Sequence, residues 1–231
     1  MRDPAYTERV REDFDRLAVL SEGSGWEHNS QYHSFLLGQL PKRLGEALEV
    51  GCGTGEFARL LAKRSERVLA ADLSPRMIET ARARLKDHPN IEYLVADATS
   101  WAFPSERFDC VAPIATLHHL PFGPMLAKMR DALKPSGTLL LLDLYRTLTA
   151  ADRVVSALAV PTSKAIRMAR TGSLAERQAP ELQKVWEEHG KTDAYPTLAE
   201  VRQACETELG ARPSGGASFG ATRSSGANRC E

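Results

Sequence analysis

The chain carries no excess of either charge: 30 basic residues balance 30 acidic ones. A net field that draws in nucleic acid or an anionic membrane is therefore not indicated, although a local patch stays open. It lacks a long apolar run. The longest, around Leu139 to Leu142, falls far short of the about 18 residues that span a bilayer. It lacks a CxxC pair. Cys52, Cys110, Cys205 and Cys230 are scattered, which argues against a zinc site and a disulfide framework and for free thiols in a reducing cytoplasm. It has no internal repeat, and its opening stretch, MRDPAYTERVREDFDRL, is too charged for a secretory signal. What remains, in 231 residues, is room for one α/β domain of ordinary size, with or without a cap.

The periodicity supports that reading. Val10, Phe14, Leu17 and Leu20 recur at helical spacing over residues 7–20, SEGSG breaks the pattern, and a second helix in NSQYHSFLLGQL opens on Asn29 or Ser30 and stops at Pro41. A βα alternation follows. ALEV is a strand and 55–65 a helix; RVLAAD is a strand; Ser74-Pro75 starts a helix to about Leu85, with Pro in the first turn where its missing N–H costs nothing. IEYLVAD and FDCVAPIA are the third and fourth strands, 123–133 is a helix, KPSG a turn and TLLLLDL the fifth strand. Near-continuous apolar strands separated by helices imply a parallel sheet covered on both faces. Helices are expected over 149–170, with a break at Pro161, and near 180–188 and 197–209. They read as an insertion over the carboxyl ends of the strands, where open α/β sheets bind ligands.

EALEVGCGTGEFARLLAK, residues 46–63, is the informative stretch. Gly51, Gly53 and Gly55 form G-x-G-x-G, each allowing a positive φ or a close backbone approach. The dinucleotide fingerprint wants a third glycine where Glu56 stands, and a carboxylate facing a pyrophosphate is unfavourable. The G-x-x-x-x-G-K-[ST] of a P-loop is absent. Glu49, at the end of the first strand, suits a cationic ammonium or sulfonium. Asp72, ending the second, can accept from both hydroxyls of a ribose. Asp97, ending the third in LVADAT, can accept from an adenine amino group or simply cap a turn.

These residues sit in an ordered series, LEVGCGTGEFA, VLAADLSPRMIETAR, YLVADAT, FDCVAPIATLHHL and LKPSGTLLLLDLYR, that covers about 47–146. The series resembles the class I S-adenosylmethionine-dependent methyltransferases, in the small-molecule group that includes ubiquinone and menaquinone biosynthesis enzymes. The resemblance implies an α/β fold with a Rossmann-like parallel sheet, helices on both faces, an N-terminal helical gate (1–45), a cofactor-binding core (46–147) and a helical cap after strand five (148–210). It implies S-adenosylmethionine as cofactor, no metal, and a small-molecule methyl acceptor in place of nucleic acid. It implies that Glu49 and Gly51 to Gly55 surround the methionine part, that Asp72 holds the ribose, that Leu73 and Met77 pack on the adenine, and that Asp97 and Ala98 read its edge. Backbone around Ile114 and Ala115 lines the site, and Tyr32 in the gate covers it. Pro113 departs from the small polar residue usual at its position. An NAD-linked oxidoreductase and a catalytically silent cofactor-binding scaffold are the competing readings.

For the acceptor, His118 and His119 follow strand four and are the candidate bases at neutral pH; helix capping and packing explain them as well. Asp143 and Tyr145 end strand five and either orient an acceptor or cap a turn. His28 and His33 read as packing within the gate. Trp26, Tyr32 and VVSALAV suggest a partly apolar acceptor pocket, or in the last case an amphipathic core helix. Residues 211–231, ARPSGGASFGATRSSGANRCE, change composition abruptly and hold too little apolar surface to offset ordering entropy, so disorder is expected. The last two strands of the usual seven are not legible there. A reading-frame shift near Gly210, a truncation and an unusual native tail each account for this. Strand five would then be an edge, open to aggregation or to pairing with a second copy.

Overall fold

The computed structural model describes residues 3–20, 29–84, 86–146, 180–191, 193, 195–210, 219–223 and 226–230. Five parallel strands form one sheet in the order β3-β2-β1-β4-β5: β1 (Leu44–Val50), β2 (Ser65–Asp72), β3 (Ile91–Val95), β4 (Phe108–Pro113) and β5 (Leu133–Leu139). β1, β2 and β4 are nearly continuous in buried apolar side chains because helices cover both faces. α3 (Glu56–Ala62) follows β1, α4 (Pro75–Arg84) follows β2, and α5 (Phe122–Ala132) precedes β5. One core cluster packs Phe57, Leu61 and Ile78 against one face of the sheet. The other packs Leu117, Met125, Leu126 and Met129 against the opposite face.

The order of β1, β2 and β4 places their carboxyl ends side by side, with the strand order reversing between β1 and β4. That reversal opens a crevice at the sheet edge. Two helices near the ends of the chain lie over it. α1 (Pro4–Leu20) packs on α4 and on α6 (Pro180–Gly190), joined by Leu17, Ala18, Met77, Leu182 and Val185. Ser74 at the start of α4 donates its hydroxyl to Asp15 Oδ1 (2.5 Å), tying α1 to the strand-two loop. α2 (Ser30–Gly38) lies beside α3. α7 (Leu198–Leu209) opens on a capping box between Thr197 and Glu200 and packs on α5.

Three local expectations are revised. KPSG is not a free turn: it lies inside β5 as an irregularity between Phe108↔Leu133 and Cys110↔Thr138. Gly137 permits this because a Cβ there would fall 2.8 Å from the Phe108 carbonyl, and Lys134 anchors the bulge to Asp109 (2.9 Å). The ladder then continues through Leu140 N to Val111 O and Leu142 N to Pro113 O, so Pro113 loses no acceptor role. Asn29 is the N-cap of α2, as expected, but its side chain makes no cap bond. In the tail, β6 (Phe219–Arg223) and β7 (Gly226–Cys230) pair antiparallel in a sheet of their own. Composition alone gave no strand there, because a ladder between neighbouring segments needs backbone pairing and little apolar surface. These two strands do not join the main sheet. Trp26, His28, VVSALAV and the expected helix over 149–170 lie outside the described residues.

Candidate active site

A cavity of about 490 Å³ occupies the crevice. Its floor is the loop after β1, where Gly51, Gly53 and Gly55 adopt φ of +72°, +51° and +80°. Gly51 is required twice over. Its φ is positive, and a Cβ would stand 2.2 Å from Thr116 Oγ1. Gly51 and Cys52 donate to the Ala71 carbonyl (2.8 and 3.0 Å), so the loop folds back across β2. Gly53 N–H donates to Asp72 Oδ2 (2.8 Å), and Ser74 N–H to Asp72 Oδ1 (2.8 Å). Gly55 is the left-handed N-cap of α3 and shapes the loop from behind without lining the cavity.

Three carboxylates stand at three successive strand ends on this wall: Glu49, Asp72 and Asp97. Glu49 and Asp72 are buried. Burial pushes the Asp72 carboxyl up to about 6; the two backbone donors counter this, and the charge of Asp15 adds to it. Asp97 Oδ1 accepts from Thr99 N–H (2.8 Å) and Oγ1 (2.7 Å), so it does cap its turn while lining the cavity. Lys128 holds that turn by donating to the carbonyls of Ala98 and Thr99. Leu73, Met77 and Ala98 also line the cavity, as do Ile114, Ala115 and Tyr32. Ala115 has φ +51°, an uncommon conformation for a residue with a Cβ, held by a 2.6 Å bond from its N–H to the Leu142 carbonyl.

The opposite wall is built of rings. His118 and His119 lie on a 3-10 turn, Leu117–His119, after β4. Asp143, just past β5, accepts His118 N–H (2.9 Å), pairs with His118 Nδ1 (2.5 Å) and accepts Leu144 N–H (2.7 Å). It therefore orients the imidazole and caps the strand end at once. Tyr145 is buried and does not line the cavity. His119 Nδ1 lies 3.4 Å from the Tyr6 hydroxyl of α1 and 3.3 Å from Asp193 Oδ1. Burial pushes His119 down to about 4, which keeps it neutral at pH 7. His33 is likewise pushed down by burial, to about 4, and packs on Phe57 with ring centroids 5.1 Å apart.

Sequence reasoning missed the rest of this wall: Tyr6 and Phe14 from α1, Trp186 and His189 from α6, and Asp193 and Tyr195 beyond it. Phe14 meets His119 and His189 edge-on at 5.6 and 5.1 Å. Arg146 N–H to the Pro196 carbonyl (2.8 Å) pins the Tyr195 loop beside the end of β5. The one signal available was the dense polar run EHGKTDAY across the end of a helix.

Residues 47–137 match the family model described as "Methyltransferase domain". An uncharacterized methyltransferase of Mycobacterium tuberculosis is 33% identical over 115 residues, 49% of this chain and 58% of the relative. The chain thus spans less than two thirds of that relative's length. Among solved structures, a Haloferax volcanii complex of a methyltransferase activator with a methyltransferase aligns at TM-score 0.58 and 20% identity, over 90% of this chain and 76% of that one. Phosphoethanolamine N-methyltransferase 1 of Haemonchus contortus, in complex with phosphoethanolamine and S-adenosylhomocysteine, aligns at TM-score 0.52 and 19% identity, over 59% and 32%. At these identities both structures establish a shared fold. Among the described residues no helix is long and apolar enough to cross a membrane.

Proposed function

We propose that this chain, whose residues 47–137 match a family model described as a methyltransferase domain, is a class I S-adenosylmethionine-dependent methyltransferase that transfers a methyl group from S-adenosylmethionine to a small-molecule acceptor. The observation that carries the reading is Asp72, a buried carboxylate at the cavity lip held by the N–H groups of Gly53 and Ser74. Its remaining lone pairs suit the vicinal hydroxyls of a ribose. Glu49 suits a cationic amino-acid end and, with Glu56 also on the wall, opposes a dinucleotide pyrophosphate. Leu73 and Met77 are the apolar support for an adenine ring. Asp97 and Ala98 are its polar edge, Gly51 to Thr54 and the Ile114–Ala115 backbone line the amino-acid and sulfur end with Gly55 shaping that loop from behind, and Tyr32 closes the cleft.

The cofactor, when bound, supplies an already electrophilic methyl group. The chain's contribution is then to orient the acceptor and exclude water, which accounts for roughly 7–11 kcal/mol in well-aligned reactions. α1 and α6 cover the cavity and exclude water. His118 and His119 are the acceptor-side polar groups, with His118 fixed by Asp143. The free, buried Cys52, Cys110 and Cys205 support a cytoplasmic setting. The outer edge of β5 is where a second copy would pair.

Calorimetric titration of the full chain with S-adenosylmethionine, and with NAD for comparison, tests the reading. Binding of the methyl donor that is abolished by Asp72→Ala, with no binding of NAD, is expected. NAD binding, or a folded chain that takes up neither, overturns it.

A further inference from the structure

The ring-lined wall holds more ligating capacity than orienting an acceptor requires. One donor atom from each of His118, His119 and Asp193 lies within 4.8 Å of the other two. Their side chains are 5%, 8% and 2% exposed, so water does not shield them. Asp193 uses Oδ2 to accept the Tyr195 hydroxyl (2.7 Å). Its other oxygen, Oδ1, is buried without a hydrogen-bond partner of good geometry. That oxygen is nevertheless surrounded by imidazole nitrogen: His119 Nδ1 at 3.3 Å and His189 Nε2 at 3.7 Å. A buried carboxylate oxygen left without a donor is costly, and a cation removes the cost.

The outer contacts have the form that metal-binding histidines take. His118 commits Nδ1 to Asp143 (2.5 Å), and His189 commits Nδ1 to Asp13 (2.9 Å). A carboxylate on one ring nitrogen fixes the tautomer, turns Nε2 inward and raises its basicity, which is the usual support behind a metal-ligating imidazole. We infer that His118, His119 and Asp193 bind a divalent first-row metal ion of the zinc class. Two imidazole nitrogens and one carboxylate oxygen match that class and leave a coordination position facing the cavity. That position suits an oxygen of the acceptor, so the inference rests on the methyltransferase reading for what the ion does, though not for whether it binds. The acceptor class is then an oxygen chelator, such as a catechol, a hydroxy acid or an enolised ketone. A purely protonic cluster, in which the same groups share hydrogen bonds, is the competing arrangement.

The full chain, stripped with chelator and dialysed, is titrated with Co²⁺ while the visible d–d absorption is followed, and Zn²⁺ is then used to displace it. One ion bound per chain with a visible band is expected. Asp193→Ala and His119→Gln should abolish the band, and Asp143→Asn should weaken binding roughly 10- to 100-fold. His33→Gln, a buried histidine outside the cluster, should leave it unchanged. Circular dichroism and S-adenosylmethionine titration of each variant establish that the fold and the cofactor end survive. Absence of stoichiometric Co²⁺ and Zn²⁺ binding by the folded wild type overturns the inference, as does binding that Asp193→Ala and His119→Gln leave intact. Metal binding without cofactor binding would sink the methyltransferase reading alone, and cofactor binding without metal would sink the metal site alone.

Discussion

Replacing Asp72 by asparagine separates the demands of the fold from those of the ligand. The carboxyl is 8% exposed and raised from an ordinary 3.8 to about 6, which corresponds to about 3 kcal/mol. The sign follows from linkage. A group whose folded pKa is raised contributes stability that is fully present below its unfolded pKa and lost as pH rises through the folded one. At neutral pH the native state therefore bears an ionised carboxylate it would be more stable without. Asparagine removes that charge. Its amide oxygen can accept one of the two N–H groups, and its NH₂ confronts the other, at a cost of about 1–3 kcal/mol. Near pH 7.5 the two effects largely offset. Urea unfolding at about pH 7.5 and about pH 4 should show the wild type gaining roughly 2–3 kcal/mol more than Asp72→Asn on acidification. Calorimetry should show the converse for the ligand. Ribose hydroxyls donate much more strongly to the ionised carboxylate, which alone accepts from both at once, than to the carboxylic acid, so wild-type affinity for S-adenosylmethionine should fall by up to about tenfold from pH 7 to pH 5. The variant should bind weakly with no such limb. Equal acid-induced gains in stability, or an affinity unchanged by the substitution, would refute the reasoning.

Asp15→Asn removes the charge that helps raise Asp72 while leaving an oxygen for the Ser74 hydroxyl. The acid limb of cofactor binding should move to lower pH, with a stability loss of about 1 kcal/mol in urea; an unmoved limb would show that the two carboxylates do not communicate. Gly51→Ala combines an unfavourable positive φ with overlap against Thr116 and should cost about 2–4 kcal/mol. Adding Thr116→Gly should return only the overlap portion, so strictly additive losses in denaturant melts would contradict this geometry. Phe108→Ala, at a wholly buried position far from the cavity wall, should cost about 3–5 kcal/mol. It should leave S-adenosylmethionine affinity unchanged in titrations below its melting range.

The grouping of the strand-end residues around one crevice was readable because its parts are local. Glu49 through Gly55, Asp72 through Met77 and Asp97 through Ala98 each occupy one strand end and the loop that follows, and βα alternation aligns those ends without further information. The strand-five region was read one step late because Pro135 and Gly137 look like a turn; here they form a bulge tied by Lys134 to Asp109. The ring-lined wall was half readable. His118 and His119 follow a strand, so their placement was accessible. Their partners Tyr6, His189 and Asp193 arrive from segments far away in sequence on either side, and no pairing between such distant residues is encoded in periodicity. The strained Ala115 left no trace, since alanine there carries none of the glycine or asparagine signal of a positive φ.

The roof formed by α1 and α6 has a kinetic consequence. Its contacts run through Leu17, Ala18, Met77, Leu182, Val185 and the Asp15–Ser74 bond, and none is a rung of the five-stranded ladder. The roof can lift while the sheet stays whole, so its helices exchange amide hydrogens by a sub-global opening cheaper than full unfolding. α1 is synthesised well before α6, yet the pair cannot close until α6 has followed, so the sheet is complete before its cover is. A ligand that needed this roof to open would then leave on the timescale of two docked helices, not on that of the sheet.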